Sequence, residues 1–280
     1  MKVLTSLFLG LVQGITEFFP ISSSGHLSIL QNLLGLNYSE DGNMLFDVLL
    51  HLGTMISICV AYWSEIRAMV SDGAEYLRMR RDSDIDEPVT LKPSARALLF
   101  VIIGTIPMIL ALIFSGSISR LFFSTGFIGF ALLITGGLLF VSDKYIQKGS
   151  KTEKTMTAAD ALIIGLSQAV ASLPGLSRSG TTISVGLARG LNGSFAVRFS
   201  LLLSIPAVFC ATIVSLFKAI RAGIDFSLFP VYFAGFVVAA VVGFFAIQLI
   251  RQLMKKGSFG KFAYYCWAVG ALAIILSIAL

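Results

Sequence analysis

Gln13 and Glu17 stand four residues apart in an otherwise apolar run, a spacing that puts an amide and a carboxylate on one face of a helix. A carboxylate there costs about 2.5 to 3.5 kcal/mol at the centre of a membrane helix, so it is kept for a reason. Pro20 follows, and then Ser22, Ser23, Ser24, Gly25 and His26. A serine at this point can cap the next helix, which leaves backbone N–H groups and hydroxyls free to meet an anion. A second stretch, Pro174 to Thr182, repeats the hydroxyls with Ser177, Ser179, Thr181 and Thr182, and carries Arg178 where the first has Ser23. A guanidinium fork suits phosphate oxygens and an imidazole moves protons near neutral pH, so the set suits cleavage of a phosphoanhydride. A plainer reading is open at this point. The serines would only cap, the glycines would permit the break, and Glu17 with Arg178 would form a buried pair bracing two helices.

The elements that must hold these residues are membrane helices. Of the 280 residues 56% are hydrophobic and only 13% charged, against about 25% charged in soluble domains. Six apolar stretches, near 44–63, 97–115, 125–142, 199–217, 230–250 and 262–280, are long enough to cross a hydrocarbon core of about 30 Å. The longest hydrophilic block, Ser64 to Arg96, leaves no room for a soluble domain, and the run RMRRDSDIDE at 78–87 reads as a solvated loop. Cys59, Cys210 and Cys266 each fall within a predicted span without metal-ligand spacing and read as core residues. The apolar start lacks a small-residue cleavage site and reads as a retained segment rather than a signal peptide.

Two further apolar segments are too short to span. Thr5 to Phe19 and Ala158 to Leu173 each run about 24 Å as helix and then break at Gly, Pro and Ser. They align without a gap at an offset of 155, pairing Gly10 with Gly165, Gln13 with Gln168, Ser22 with Ser177, Ser24 with Ser179 and Gly25 with Gly180. The expected fold is therefore all-α and integral to the membrane, with six transmembrane helices and two re-entrant helical hairpins. Residues 1–145 and 146–280 form two inverted-topology repeats of one membrane domain, because three spans plus a hairpin make an odd number of crossings.

Sixteen of the 21 basic residues fall on one predicted side and four on the other, with Arg178 in the second break. The positive-inside rule makes the richer side cytoplasmic, and both termini and the active-site opening extracytoplasmic. The net charge of +6 is thus a topology signal and nucleic acid is not expected as a partner. Asp47 and His51 share a helix face and read as structural or cavity-lining. Thr157 and Asp160 have the spacing of a helix cap.

QGITEFFPISSSGHL at 13–27, PGLSRSGTT at 174–182 and LLHLGT at 49–54 closely resemble the undecaprenyl-diphosphatase family, the bacitracin-resistance phosphatases of the bacterial plasma membrane. The resemblance spans the chain. It implies hydrolysis of undecaprenyl diphosphate, recycling the lipid carrier of peptidoglycan and other wall polymers. It implies that Glu17, Ser23, His26 and Arg178 are catalytic, with Ser23 the nucleophile proposed in the family beside a histidine or an activated water. By position, Gln13, Ser22, Ser24, Gly25, Ser177, Ser179, Gly180, Thr181 and Thr182 would bind the diphosphate. A divalent cation, Mg²⁺ or Ca²⁺, is implied at Glu17; the family pattern admits Glu or Gln at position 13, and glutamine here removes a second carboxylate. The expected partners are a polyprenyl diphosphate lipid and membrane lipids, with homodimerisation left open. An acid-phosphatase-like lipid phosphatase is excluded, because position 184, where its nucleophilic histidine would stand, is serine. The rival function is a transporter or flippase of the polyprenyl phosphate carrier, since inverted repeats are a transporter architecture.

Overall fold

The computed structural model describes residues 1–36, 44–82, 90–113, 121, 124–145, 148–222, 226–257 and 259–279. Eleven α-helices carry the described chain: α1 (Val3–Thr16), α2 (Ser23–Leu33), α3 (Met44–Ala61), α4 (Trp63–Asp82), α5 (Pro93–Ile113), α6 (Thr125–Ser142), α7 (Ala158–Val170), α8 (Arg178–Ala188), α9 (Gly193–Ala222), α10 (Phe229–Lys255) and α11 (Lys261–Ala279). No named strand occurs among the described residues; the sole β pairing there is the bridge between Lys151 and Leu191. The protein is an all-α membrane protein, as its composition requires. Helices α6, α9, α10 and α11 are long and apolar enough to cross a membrane, α3 forms a fifth candidate together with α4, and α5 is apolar over Pro93–Ile109.

The short segments break where glycine, proline and serine put them, though earlier than proline alone suggests. Helix α1 stops at Thr16 and α7 at Val170, so each is a half-helix. The restart is capped identically in the two: Ser22 Oγ accepts from Gly25 N–H at 3.2 Å, and Ser177 Oγ from Gly180 N–H at 3.0 Å. The breaks meet. A Cβ added to Gly25 would lie 3.2 Å from Gly175 Cα, and one added to Gly180 would lie 3.2 Å from Pro20 Cβ. Under the offset of 155 these two contacts are the same contact seen from either side.

Each half-helix is clamped at backbone distance to a span from the other half of the chain. Gly10 of α1 faces Gly235 of α10, and Gly165 of α7 faces Gly104 of α5. Small residues of this kind let membrane helices approach closely where no hydrophobic effect drives them together. A Cβ at position 165 would sit 2.1 Å from the Gly104 carbonyl oxygen, and backbone cannot step aside as a side chain can. Gly165→Val is therefore expected to destabilise the detergent-solubilised protein by about 3 kcal/mol or more. Gly137→Ala, where nothing lies within 4 Å, is expected to be neutral or stabilising; thermal unfolding of the two variants side by side checks the contrast.

One end of the bundle is knitted by basic residues. Arg96 donates to the carbonyls of Glu153 and Met156, Arg198 pairs with Glu153 at 2.7 Å, and Arg251 lies over the Tyr62 ring. Asp160 is fully buried between Lys151 and Arg189 at 2.8 Å each, and forms with Thr157 the capping box expected from their spacing.

The run at 78–87 is not all loop, because α4 continues through its first residues, at 75° to α3. Ile66, Met69, Gly73 and Tyr76 recur at helical spacing on the inner face of α4, where Met69 is buried and Gly73 meets Leu98 of α5. Trp63, Val70 and Leu77 form an exposed apolar stripe beside them. The run at 78–87 accordingly begins inside a helix, and its residues 83–87 lie outside the described residues.

Candidate active site

Glu17 follows the last residue of α1, where the helix gives way to the first break, and its N–H still reaches Gln13 O at 3.0 Å. Its side chain is only 6% exposed, and both carboxylate oxygens are used. Oε1 meets Arg178 Nη2 from the second break. Oε2 accepts from the Gln13 amide at 2.9 Å and from the Ser23 hydroxyl at 2.6 Å. His51 Nε2, arriving from α3, lies 3.9 Å from the same oxygen. Four residues from four segments thus converge on one carboxylate, including the Arg178 partner foreseen in the plainer reading of the sequence.

That pair does not exhaust its members. Arg178 is 23% exposed, and among the described residues its other guanidinium donors have no protein partner. Nor does any protein acceptor meet the backbone N–H groups of Ser23, Ser24, Arg178 or Ser179 among those residues. These groups open α2 and α8, whose N-terminal ends carry partial positive charge. Two helix starts with free donors and an uncommitted guanidinium edge could receive an anion, beside a serine hydroxyl held by a carboxylate.

The other residues expected at the site are placed more variously. Ser22 and Ser177 spend their hydroxyls on caps, through the backbone of Gly25 and Gly180. Ser24 lies 3.4 Å from Ser22, and Ser179 donates to the Phe19 carbonyl across the meeting of the breaks. Thr182 turns to Arg178 O and to the Ser200 hydroxyl of α9, away from Glu17. Thr181 Oγ1 is buried and has no hydrogen-bond partner among the described residues. His26 makes no hydrogen bond to the Glu17 cluster: its ring nitrogens meet Ser22 O at 2.7 Å and the Tyr265 hydroxyl at 2.8 Å.

Sequence reasoning left two neighbours out of the site. His51 was read as lining, although its place on a face with Asp47, which accepts from Gln31, signalled a polar use for that face. Tyr265 gave no signal, being one aromatic among many in an apolar helix.

Between α2, the start of α6 and the end of α11 lies a cavity of about 580 Å³ lined by Ile29, Asn32, Leu33, Thr125 and Leu276 among others. His26, Ile29 and Leu33 share one face of α2 at spacings of three and four, so this cavity continues the face that begins at the first break.

The family model described as bacitracin resistance protein BacA matches residues 6–272. The chain is similar to the undecaprenyl-diphosphatase of Halothermothrix orenii, at 37% identity over 279 residues and 99% of both chains. It is likewise similar to the undecaprenyl-diphosphatases of Methanosphaera stadtmanae, at 39% over the whole of both chains, and of Syntrophotalea carbinolica, at 40% over 99% of this chain and all of the relative.

Proposed function

This chain belongs to the family of bacitracin resistance protein BacA, and from that premise we propose that the Glu17–Arg178 cluster is its hydrolytic centre. The protein is an undecaprenyl-diphosphatase, releasing inorganic phosphate from undecaprenyl diphosphate and returning the monophosphate carrier to the synthesis of peptidoglycan and other wall polymers. The observation that carries the assignment of the centre is the double engagement of Glu17, by Ser23 on one oxygen and Arg178 on the other.

Ser23 is the nucleophile in this reading. Its Oγ forms a bond to the terminal phosphorus as Glu17 Oε2 takes the hydroxyl proton, and the bridging P–O bond breaks with its electron pair leaving on undecaprenyl phosphate. Water then cleaves the phosphoserine, returning the proton to Oγ and releasing inorganic phosphate. The free edge of Arg178 and the N–H groups at the starts of α2 and α8 hold the non-bridging oxygens whose charge is rearranged. The cavity along α2 seats the start of the prenyl chain.

A hard dication, Mg²⁺ or Ca²⁺, fits the donors present. Gln13 directs its amide nitrogen to Glu17, and its Oε1 is buried without a hydrogen-bond partner. That oxygen and the Glu17 carboxylate would hold the ion, with diphosphate and water completing its shell, since no cluster of three His, Cys, Asp or Glu occurs among the described residues. It would neutralise substrate charge.

The two halves are inverted copies, as the reciprocal contacts of the breaks support, and the site opens to the extracytoplasmic side. The gathering of Arg96, Lys151, Arg189, Arg198 and Arg251 at one end supports making that end cytoplasmic. Purified protein in detergent is expected to release phosphate from undecaprenyl diphosphate; transport of the carrier without phosphate release would overturn the assignment. In intact cells, a single cysteine at position 23 in a cysteine-free background is expected to react with a membrane-impermeant thiol reagent. Reaction only after the cytoplasmic face is exposed would reverse the orientation.

A further inference from the structure

Resting on the reading of His26 as part of this site, we propose that Tyr265 is a positioning residue that donates to the basic nitrogen of His26 and so holds the ring, and the Ser22 turn bonded to it, beside Ser23. The Ser22 carbonyl oxygen can only accept, so the 2.7 Å contact with His26 Nδ1 places the ring proton on Nδ1. In the neutral ring Nε2 is then a lone pair, and the Tyr265 hydroxyl 2.8 Å away must be its donor. The two rings also lie nearly parallel, 10° apart with centroids at 5.7 Å.

The contact is held from behind by the next two residues of α11. Cys266 Sγ lies 3.6 Å from the Pro20 carbonyl in the first break, and Trp267 Nε1 donates to Leu133 O of α6 at 3.2 Å. Three consecutive side chains thus fasten α11 to three separate elements, α2, the break and α6, leaving Tyr265 little freedom of position. Tyr264 behaves otherwise, being 62% exposed and packed edge-on to Trp267. Tyr265 is therefore more than one of a belt of interfacial tyrosines.

The functional consequence concerns what His26 does. One ring nitrogen is committed to Ser22 and the other to a hydroxyl on a residue that is 43% exposed. With both nitrogens committed, His26 ties down the turn that presents Ser23 and does not act as nucleophile.

The chain has two histidines, which makes a direct test practical. ¹⁵N-histidine NMR of the full chain in micelles, with a His51→Asn sample for assignment, is expected to show His26 as a single Nδ1–H tautomer. Tyr265→Phe keeps the ring stack but loses the donor. It should keep the Nδ1–H tautomer set by Ser22 and move the Nε2 resonance downfield to that of an unbonded lone pair, with kcat lowered about tenfold and KM changed less than about twofold, because the His26 bond that ties the Ser22 turn is weakened. A wild-type Nε2 resonance or a wild-type kcat in Tyr265→Phe would overturn the proposal. Absence of phosphate release by the wild-type protein would instead count against the hydrolytic reading, and the Nε2 comparison stands apart from it.

Discussion

Lysine at position 178 is expected to leave a protein that purifies like the wild type but hydrolyses undecaprenyl diphosphate at about a hundredth of its rate or less. Arg178 uses one guanidinium nitrogen on Glu17 and has further donors without a protein partner. A planar fork can hold carboxylate with one edge and phosphate with another, whereas an ammonium is a point charge on a shorter reach and must choose. Since lysine still neutralises Glu17, the fold loses little. Steady-state kinetics beside a thermal unfolding curve checks both halves of the statement, and turnover near the wild-type rate would remove the guanidinium from phosphate binding.

The second large effect separates bracing from chemistry. Glu17→Gln alone leaves the partly buried Arg178 charge without its partner, a change that costs about 3–5 kcal/mol for a fully buried pair and less here, where solvent reaches the guanidinium. Replacing both members, Glu17→Gln with Arg178→Gln, removes that imbalance, and such neutral replacements of buried pairs are often tolerated. The double variant is expected to regain most of the lost stability and yet turn over at less than about a thousandth of the wild-type rate, because base and phosphate clamp are both gone. Recovery of more than about a tenth of wild-type activity would mean that the pair only holds the hairpins together. In the same assay a chelator is expected to stop hydrolysis by the wild-type protein, and excess Mg²⁺ to restore it there but not in Glu17→Gln. Full activity in chelator would exclude the dication.

The parts of the site legible in the sequence are those where a local rule is broken. Glu17 is a charge inside an apolar helix, Arg178 the one basic residue that falls in a break and on neither predicted side, and the two Ser-Gly breaks repeat at a fixed offset. Each is visible without knowing what packs where. Helix α4 was hidden for the opposite reason: its composition is polar, and only the narrow series Ile66, Met69, Gly73 and Tyr76 marks its inner face. His51 and Tyr265 were out of reach because what matters is their partner. His51 meets Glu17 across 34 positions and Tyr265 meets His26 across 239, and no periodicity in an apolar helix records which neighbour it will find. The bounds of the spans were read to within a few residues, except that α9 is longer than its apolar core, reaching from Gly193 to Ala222.

The glycine contacts carry a consequence for how the chain is made. Helix α1 rests on α10, and α5 on α7, so the backbone-close partner of α1 is made only near the end of the chain. At roughly 5–20 residues per second, α1 waits on the order of 10–50 s in the bilayer before α10 exists to receive it. Throughout that interval the Glu17 carboxylate is in place and Arg178 is at first not yet translated. Biogenesis therefore passes through a stage in which an unpaired polar half-helix must be sheltered, by water at the membrane surface or by the insertion machinery, and the native site closes only when the last third of the chain arrives.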